Sequence, residues 1–491
     1  MVAQNPRRRL PPKVLGNSSR QRTKQPPRKP WYRHAPWVLP TLVCVVFAVL
    51  IAGVAGVRQV IVLVQGTAGA DAPETPARGS ADEDAAGGLD GSFVDADDGR
   101  VSLASNEPGL EVLPPAAAGQ PGRKLPRLLL VGRHPQMFKS VSESVAVAVP
   151  GDVIEIRTNG PLLESGAELK LERREPGKGL TIRAGQGFQP VLRPDQPQRT
   201  IVRLTNSDLT LSGLHVTSAV PCRLASVENG NVVIEHCSVT SIPPRGGVHV
   251  LAVKNTSELP LNVVIDRCLT RGRPQFSFAG PAIQLTLRES AFVGGQHLLV
   301  MAAAEDQSLT IQNCTFINCY LLTWPVDAGW PQKPLSVRME GSLFALLSCC
   351  ATLFDVRVPK SDSLADPDDY RDALRRALRE FRARDNVAQF WEGWAAVSQG
   401  GNLGRFIREP VFGDEHPPID DTLRFGSRIE QVRSMIHKQG NPPETAAVIA
   451  SVVPQDLVPV SQGILAERVA LGRRYGCDVA RLPVPPASTL P

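Results

Sequence analysis

The middle of this chain is built from short runs in which apolar and polar positions alternate, each broken after four or so residues. One pattern recurs: apolar, any, apolar, two residues, then Cys or a small or apolar residue, any, apolar. It reads LTLSGLHV at Leu209–Val216, VVIEHCSV at Val232–Val239 and LTIQNCTF at Leu309–Phe316. Looser copies are VVIDRCLT from Val263, LTLRESAF from Leu285 and VRMEGSLF from Val337, with a degenerate LTIRAG from Leu180. In chain order the copies start 29, 23, 31, 22, 24 and 28 residues apart. Strand side chains switch faces at every residue, so the alternation predicts short strands with one face inward. The two-residue break predicts a corner, with Gly213, Asn313 and Gly341 where a left-handed backbone is easily adopted.

Self-similarity at this period is the mark of a solenoid. Cys237, Cys268 and Cys314 share one phase of the repeat, and Leu214, Ser290 and Ser342 complete the column. Stacked coils bring equivalent residues to about one strand spacing, 4.8 Å, so a column of small side chains suits a narrow interior corner. Leucine-rich repeats would need another Leu three residues upstream of each copy. Asn206, Asn229, Pro260, Ala282 and Asp306 stand there instead. Left-handed hexapeptide helices need a tighter period. The expected fold is an all-β solenoid, a right-handed parallel β-helix over residues 135–430, whose coils tolerate turns of unequal length.

VAVPGDVIEI at Val147–Ile156, a short amphipathic stretch before it and LTIRAG after it resemble the opening of pectin-lyase-like parallel β-helix domains. Phe138, Val141, Val145 and Val149 mark the apolar face of that stretch, and Ser140 and Glu143 have capping-box spacing, which predicts a helix plugging the open end. Trp394, Gly401, Glu409–Phe412 and Asp421–Arg424 resemble the family's last coil. The domain is also similar to the extracytoplasmic half of certain bacterial membrane-anchored receptor-type Ser/Thr kinases. No kinase domain is expected here, for no Gly-rich loop, HRD or DFG element occurs.

One insertion interrupts the pattern. Asp366-Pro367-Asp368-Asp369 is a helix start, followed by Tyr370, Leu374, Leu378 and Phe381 at helical spacing, which predicts a helix over 366–384 against the solenoid. Residues 431–491 form a C-terminal extension expected to be partly helical or disordered, with a weak helical signal at Ile464–Tyr475.

Charge changes the picture at the other end. Residues 1–35 carry ten Lys or Arg and no acid, leaving 54 − 10 = 44 bases against 48 acids in the rest. Ala35–Val57 follows as 23 residues without a charge. At about 1.5 Å per helical residue this can cross a hydrocarbon core of roughly 30 Å. Trp31 and Trp37 stand at its edge, and the basic arm places the N-terminus in the cytoplasm. The expected organisation is a basic cytoplasmic tail over 1–35, one transmembrane helix over 36–64, an acidic flexible linker over 65–130, and an extracytoplasmic body. The basic arm is a topology signal, not a nucleic-acid site. Between Gly66 and Glu107 ten acids face two Arg, a composition that cannot offset its own ordering entropy.

The chemistry is thin. Pectin-lyase-like enzymes resemble one another in carrying Asn-x-Asp, Asp-Asp, Gly-His-Gly and Arg-x-Lys segments, or calcium-binding Asp clusters, on successive coils. Gly295-Gln-His297 does not match, and Asp420-Asp421 lies outside the repeat. The outward column Ser212, Glu235, Asp266, Arg288, Gln312 and Glu340, beside Gly213, His236, Arg267, Glu289, Asn313 and Gly341, is the one place where stacked carboxylates could perform acid–base work or hold a metal. Solenoid turns expose polar residues in any case. Trp324, Trp330 and Tyr320 are candidates for sugar stacking, or for filling the space beneath a long turn. No C-x-x-C pair occurs; Cys237, Cys268 and Cys314 are expected as buried thiols, and Cys222, Cys349 and Cys350 are candidate disulfide partners. No catalytic residue, metal ligand or cofactor is assigned, and no ligand-binding residue is named. The expected function is a non-catalytic envelope binding or scaffold module for a glycan or an envelope protein. A carbohydrate-active enzyme with an atypical site, and a sensor ectodomain acting through a cytoplasmic partner, are the alternatives.

Overall fold

The repeat copies stack in register. The computed structural model describes residues 111–113 and 126–486, apart from 172–178, 198, 243–247, 295–297, 320, 326–333, 346–351, 359–371, 373, 379, 390–392, 400–405, 408–416 and 440–443. Each coil supplies three strands. Asp208–Ser212 lies in sheet A, His215–Ser218 in sheet B and Arg223–Glu228 in sheet C, and Val232–Glu235 then returns beside the first. Sheet A has 11 strands, from Glu111–Leu113 to Glu380–Arg384; sheet B has 9, from Pro161–Glu164 to Val387–Gln389; sheet C has 10, from Ala167–Lys170 to Phe406–Ile407. Among the described strands, pairing within the three sheets is parallel except at Phe406–Ile407, which runs antiparallel to Gly393–Gln399. The chain is an all-β parallel solenoid, a three-sheet β-helix.

The corner from sheet A to sheet B explains the repeat. Gly213, His236, Arg267, Glu289, Asn313, Gly341 and Asp385 all have left-handed backbones, with φ of 70, 51, 50, 48, 50, 62 and 51°. That conformation costs a non-glycine residue roughly 1–2 kcal/mol, offset here by a ladder in which each corner N–H from Gly213 to Gly341 meets a carbonyl of the next coil, as Asn313 N–H does with Glu340 at 2.9 Å. The next residue is the predicted column, and it is buried throughout. Its side chains close the corner: the Ser290 hydroxyl donates to the Arg288 carbonyl at 2.7 Å, and the Cys237, Cys268 and Cys314 thiols approach the carbonyls two residues back at 3.3 Å. Ser290 and Ser342 also accept the backbone N–H of Cys268 and Cys314 from the preceding coils. At the Ser and Cys positions a short side chain supplies this donor, whereas Leu214 fills the corner with carbon alone. At the sheet C to sheet A corner Asn206, Asn229, Ala282 and Asp306 are likewise left-handed, so four of the five residues that excluded a leucine-rich repeat are themselves turn residues.

The interior is one continuous apolar column of Val, Leu, Ile and Phe. Phe292, Phe316 and Phe344 stack on successive coils with centroids 5.1 and 5.2 Å apart. Cys222, Cys237, Cys268, Cys314, Cys319 and Cys477 are free, buried thiols, so Cys222 forms no bridge. Burial pushes the Cys237 and Cys319 thiols up to about 12. Gly272 ends a sheet B strand at φ 93°, where a Cβ would stand 1.8 Å from the Ser241 carbonyl oxygen. Gly272→Ala should therefore destabilise the protein by about 2–3 kcal/mol in denaturant unfolding.

The N-terminal plug forms as expected, with a shorter reach. Helix α1, Val141–Val147, is capped by Ser140, whose hydroxyl accepts the Glu143 N–H at 3.1 Å. The Glu143 carboxylate reaches back to the N–H of Lys139, one residue before the cap. Phe138, Val141 and Val145 are buried, whereas Val149 lies beyond the helix and is exposed. The Glu164 carboxylate accepts the Val141 and Ser142 N–H groups at 3.0 and 2.9 Å; burial nevertheless pushes its pKa up.

Three boundaries differ from expectation. Strands Glu111–Leu113 and Arg127–Val131 extend sheet A into the segment read as linker, because RLLLV is buried on both faces, Leu129 and Val131 in the core with α1 and Leu128 and Leu130 against Met137. In the insertion, residues 374–377 are helical, but Glu380–Arg384 is a sheet A strand. Phe381 there points inward, edge-on to Phe354 at 6.1 Å, so its helical spacing from Leu378 is coincidental. The third difference is that the C-terminal extension, partly helical as expected and helical at the Ile464 signal, begins its first helix at Ser427 and packs on the solenoid. Helices α2 (Ser427–Gln439), α3 (Glu444–Ser451) and α4 (Ile464–Ala470) lay Phe425, Ile429, Val432, Ile449, Val452 and Leu465 on the outer face of sheet B, against Leu269, Ala291, Val293, Ile317, Leu343 and Val387. Sheet B is thus buried on both faces along most of its length.

The basic tail, the expected transmembrane helix, the body of the acidic linker, the helix start at 366–369 and the motif at 409–412 lie outside the described residues. Among the described residues no helix is long and apolar enough to cross a membrane.

Candidate functional site

The outward column of sheet A assembles as the repeat implied. Ser212, Glu235, Asp266, Arg288, Gln312 and Glu340 are successive register partners. The carboxylate best placed for chemistry is already engaged. Asp266, with its side chain 3% exposed, lies 2.6 Å from Arg267 Nη2 and 2.9 Å from Arg288 Nε. Burial alone would raise its pKa; the Arg288 and Arg267 guanidinium groups outweigh that and hold it below the ordinary carboxylate range. Glu155 sits likewise between Arg157 and Arg183, each at 2.7 Å. Acid–base hydrolysis with two carboxylates requires one to be protonated near the working pH, and Asp266 is poised for the opposite. Glu235, one rung away, makes no ion pair among the described residues. No group of three potential metal ligands occurs among the described residues.

The adjoining corner column is occupied by the protein itself. Glu289 accepts the Asp478 N–H and an Arg474 Nη2 hydrogen bond, both at 3.1 Å, and Arg473 pairs with Asp385. The Gly476 N–H donates to the Gly341 carbonyl at 2.7 Å and the Cys477 N–H to Thr315 Oγ1 at 3.2 Å. The segment 473–478 therefore straps the left-handed corners. Asp420 is structural too: it accepts from Ser461, Thr422 and the Leu465 N–H, fixing the start of α4. Trp324 is buried in sheet C strand Leu322–Pro325, filling space rather than offering a face to a sugar. Trp330, Tyr320, His297, Cys349 and Cys350 lie outside the described residues.

A second polar cluster was not anticipated from the sequence. On the outer face of sheet B, His215 and Ser238 are register partners, as are Thr240 and Arg271 one column over. His215 Nδ1 is 2.7 Å from Ser238 Oγ. Arg271 is wholly buried; its Nη1 donates to the Val452 carbonyl at 2.8 Å and its Nη2 to Thr240 Oγ1, while Nε has no acceptor among the described residues. Burial pushes Arg271 down to about 10; burial and then the Arg271 charge push His215 down to about 4. The available signal was the polarity of HVTS, SVTS and LTRG, three strands otherwise continuous with apolar AFV and TFI.

No family model matches the chain, and no curated protein matches it. Among solved structures it is similar to a crystal structure of pectate lyase Pel9A, at 12% identity and a TM-score of 0.22, covering 57% of this chain and 78% of that one. The fold is read from the parallel strand register, not from this likeness.

Proposed function

We propose that the chain is a membrane-anchored, extracytoplasmic, right-handed β-helix that binds or organises a glycan or protein of the cell envelope without catalysing a reaction on it. The observation that carries the non-catalytic reading is Asp266 held between Arg267 and Arg288, which ties the most buried carboxylate of the stacked column to two guanidinium groups of the protein itself. The anchoring rests on the uncharged stretch Ala35–Val57 behind ten basic residues, and right-handedness on the strong chiral preference of parallel crossovers. Relationship to receptor-kinase ectodomains, with signalling through a cytoplasmic partner, is a finer version of the same topology.

Full-length protein is expected to show no turnover on a panel of acidic and neutral glycans. Glycan turnover abolished by Glu235→Ala or Asp266→Ala would replace this reading with an enzymatic one. Asp266→Ala should instead cost about 1–3 kcal/mol of stability, since it takes from two arginines the carboxylate they share. In intact cells the body should be digested by added protease and the tail protected; the reverse pattern overturns the orientation.

A further inference from the structure

We infer that His215 and Arg271 form an acid-sensitive latch that holds helix α3, and with it the C-terminal helical segment, onto the outer face of sheet B. Helix α3 packs across the strand Leu269–Gly272, and Ile449 lies so close over Gly294 that a Cβ there would meet its Cδ1 at 3.1 Å. The carbonyl just past the last turn of α3, on Val452, accepts the Arg271 guanidinium. A cation at a helix C-terminus is favoured by the helix dipole, and here it is the buried cation's chief compensation. Arginine cannot shed its charge inside a protein, so this arrangement holds only while the neighbourhood carries no further positive charge.

His215 is the group that can add one. It is buried, bonded to Ser238, and within electrostatic reach of Arg271. Among the described residues the charged groups around it offer no relief. Arg193, on the neighbouring strand Val191–Pro194, and Arg271 are both cationic. Glu444, the one ionisable side chain of α3, is exposed at the far end of that helix. Asp456 and Glu430, on the elements beside α3, are committed to Arg428 and Arg433. Protonating His215 therefore sets two cations among neutral acceptors, and lifting α3 to admit water relieves both.

The direction follows from linkage. Closed, the imidazole titrates at about 4; open to water, it returns to about 6.5. The open form binds more protons between these values, so closure is complete above the window and weakens as pH falls through it. From pH 7 to pH 5 the opening equilibrium should rise about 20-fold.

Hydrogen exchange of the full-length protein tests this. At pH 5, after correction for intrinsic rates, protection in 444–452 and 269–272 should fall about 20-fold relative to pH 7, with sheet A segments 263–266 and 309–312 unchanged. His215→Gln, which keeps a partner for Ser238 and cannot ionise, should hold the pH 7 protection at pH 5. Arg271→Met should loosen α3 at both pH values. Unchanged protection in the wild type, an equal loss in His215→Gln, or a loss spread evenly through sheet A would each overturn the latch. Should His215→Gln fail to fold, the wild-type profile decides alone: the loss must follow a single proton and stay confined to those two segments.

Discussion

Replacing Phe316 by alanine should cost about 3–5 kcal/mol, enough to remove a large part of the stability of an ordinary domain. Phe316 is fully buried and stacked between Phe292 and Phe344 at 5.1 and 5.2 Å, with both ring pairs near parallel at 8°. Truncation removes two ring contacts as well as the transfer energy. The coils on either side are held in register by backbone hydrogen bonds and cannot close over the gap, so the cavity term is felt in full. Urea unfolding checks the value. Leu471→Ala, at a side chain 78% exposed, is the control and should change stability by less than about 0.5 kcal/mol.

A loss of similar size, about 3–5 kcal/mol, is expected for Asp152→Ala at the opposite end of the molecule. Asp152 is fully buried and takes four kinds of donor: the Arg127 N–H at 2.9 Å, Arg127 Nε, Arg127 Nη2 at 2.6 Å and the Val149 N–H at 2.8 Å. Without it the Arg127 guanidinium keeps the Val147 carbonyl at the end of α1 but loses the carboxylate that balances its charge. The cost is mostly that of a stranded charge, which sets the test. Arg127→Met combined with Asp152→Leu should lose less than Asp152→Ala alone, as replacing a whole buried pair is cheaper than breaking it. If the double variant is the less stable of the two, the pair is worth more than its burial costs and this account of it is wrong.

The sequence exposed whatever repeats. The strand Val232–Glu235, the corner at His236 and the buried Cys237 recur with one geometry on every coil, so the column of small residues and its neighbouring outward column could be placed from spacing alone. What does not repeat was harder. Phe381 sits three residues after Leu378, and only the pairing of Glu380–Arg384 with Leu335–Glu340 shows that it belongs to a strand. Strands of three residues such as Ala291–Val293 are too short to reveal whether one face or two are covered, so the covering of sheet B by the C-terminal helices is not legible in the sequence. The engagement of Asp266 was half visible: Arg267 is adjacent in sequence, but Arg288 arrives from the next coil. His215 and Arg271 lie 56 residues apart by numbering and meet only through two rungs of register, with Val452 brought in from the far end of the chain.

The order in which the molecule is made has a consequence for sheet B. Ribosomes deliver the coils before residues 417–486, so for a time the row Leu269, Ala291, Val293, Ile317 and Leu343 faces water on a finished stack. Such a bare stripe along parallel strands is a surface on which nascent chains adhere to one another. The C-terminal helices thus act as a built-in sheath, and a nonsense mutation before Ile419 should yield an insoluble product although every coil of the solenoid has been synthesised.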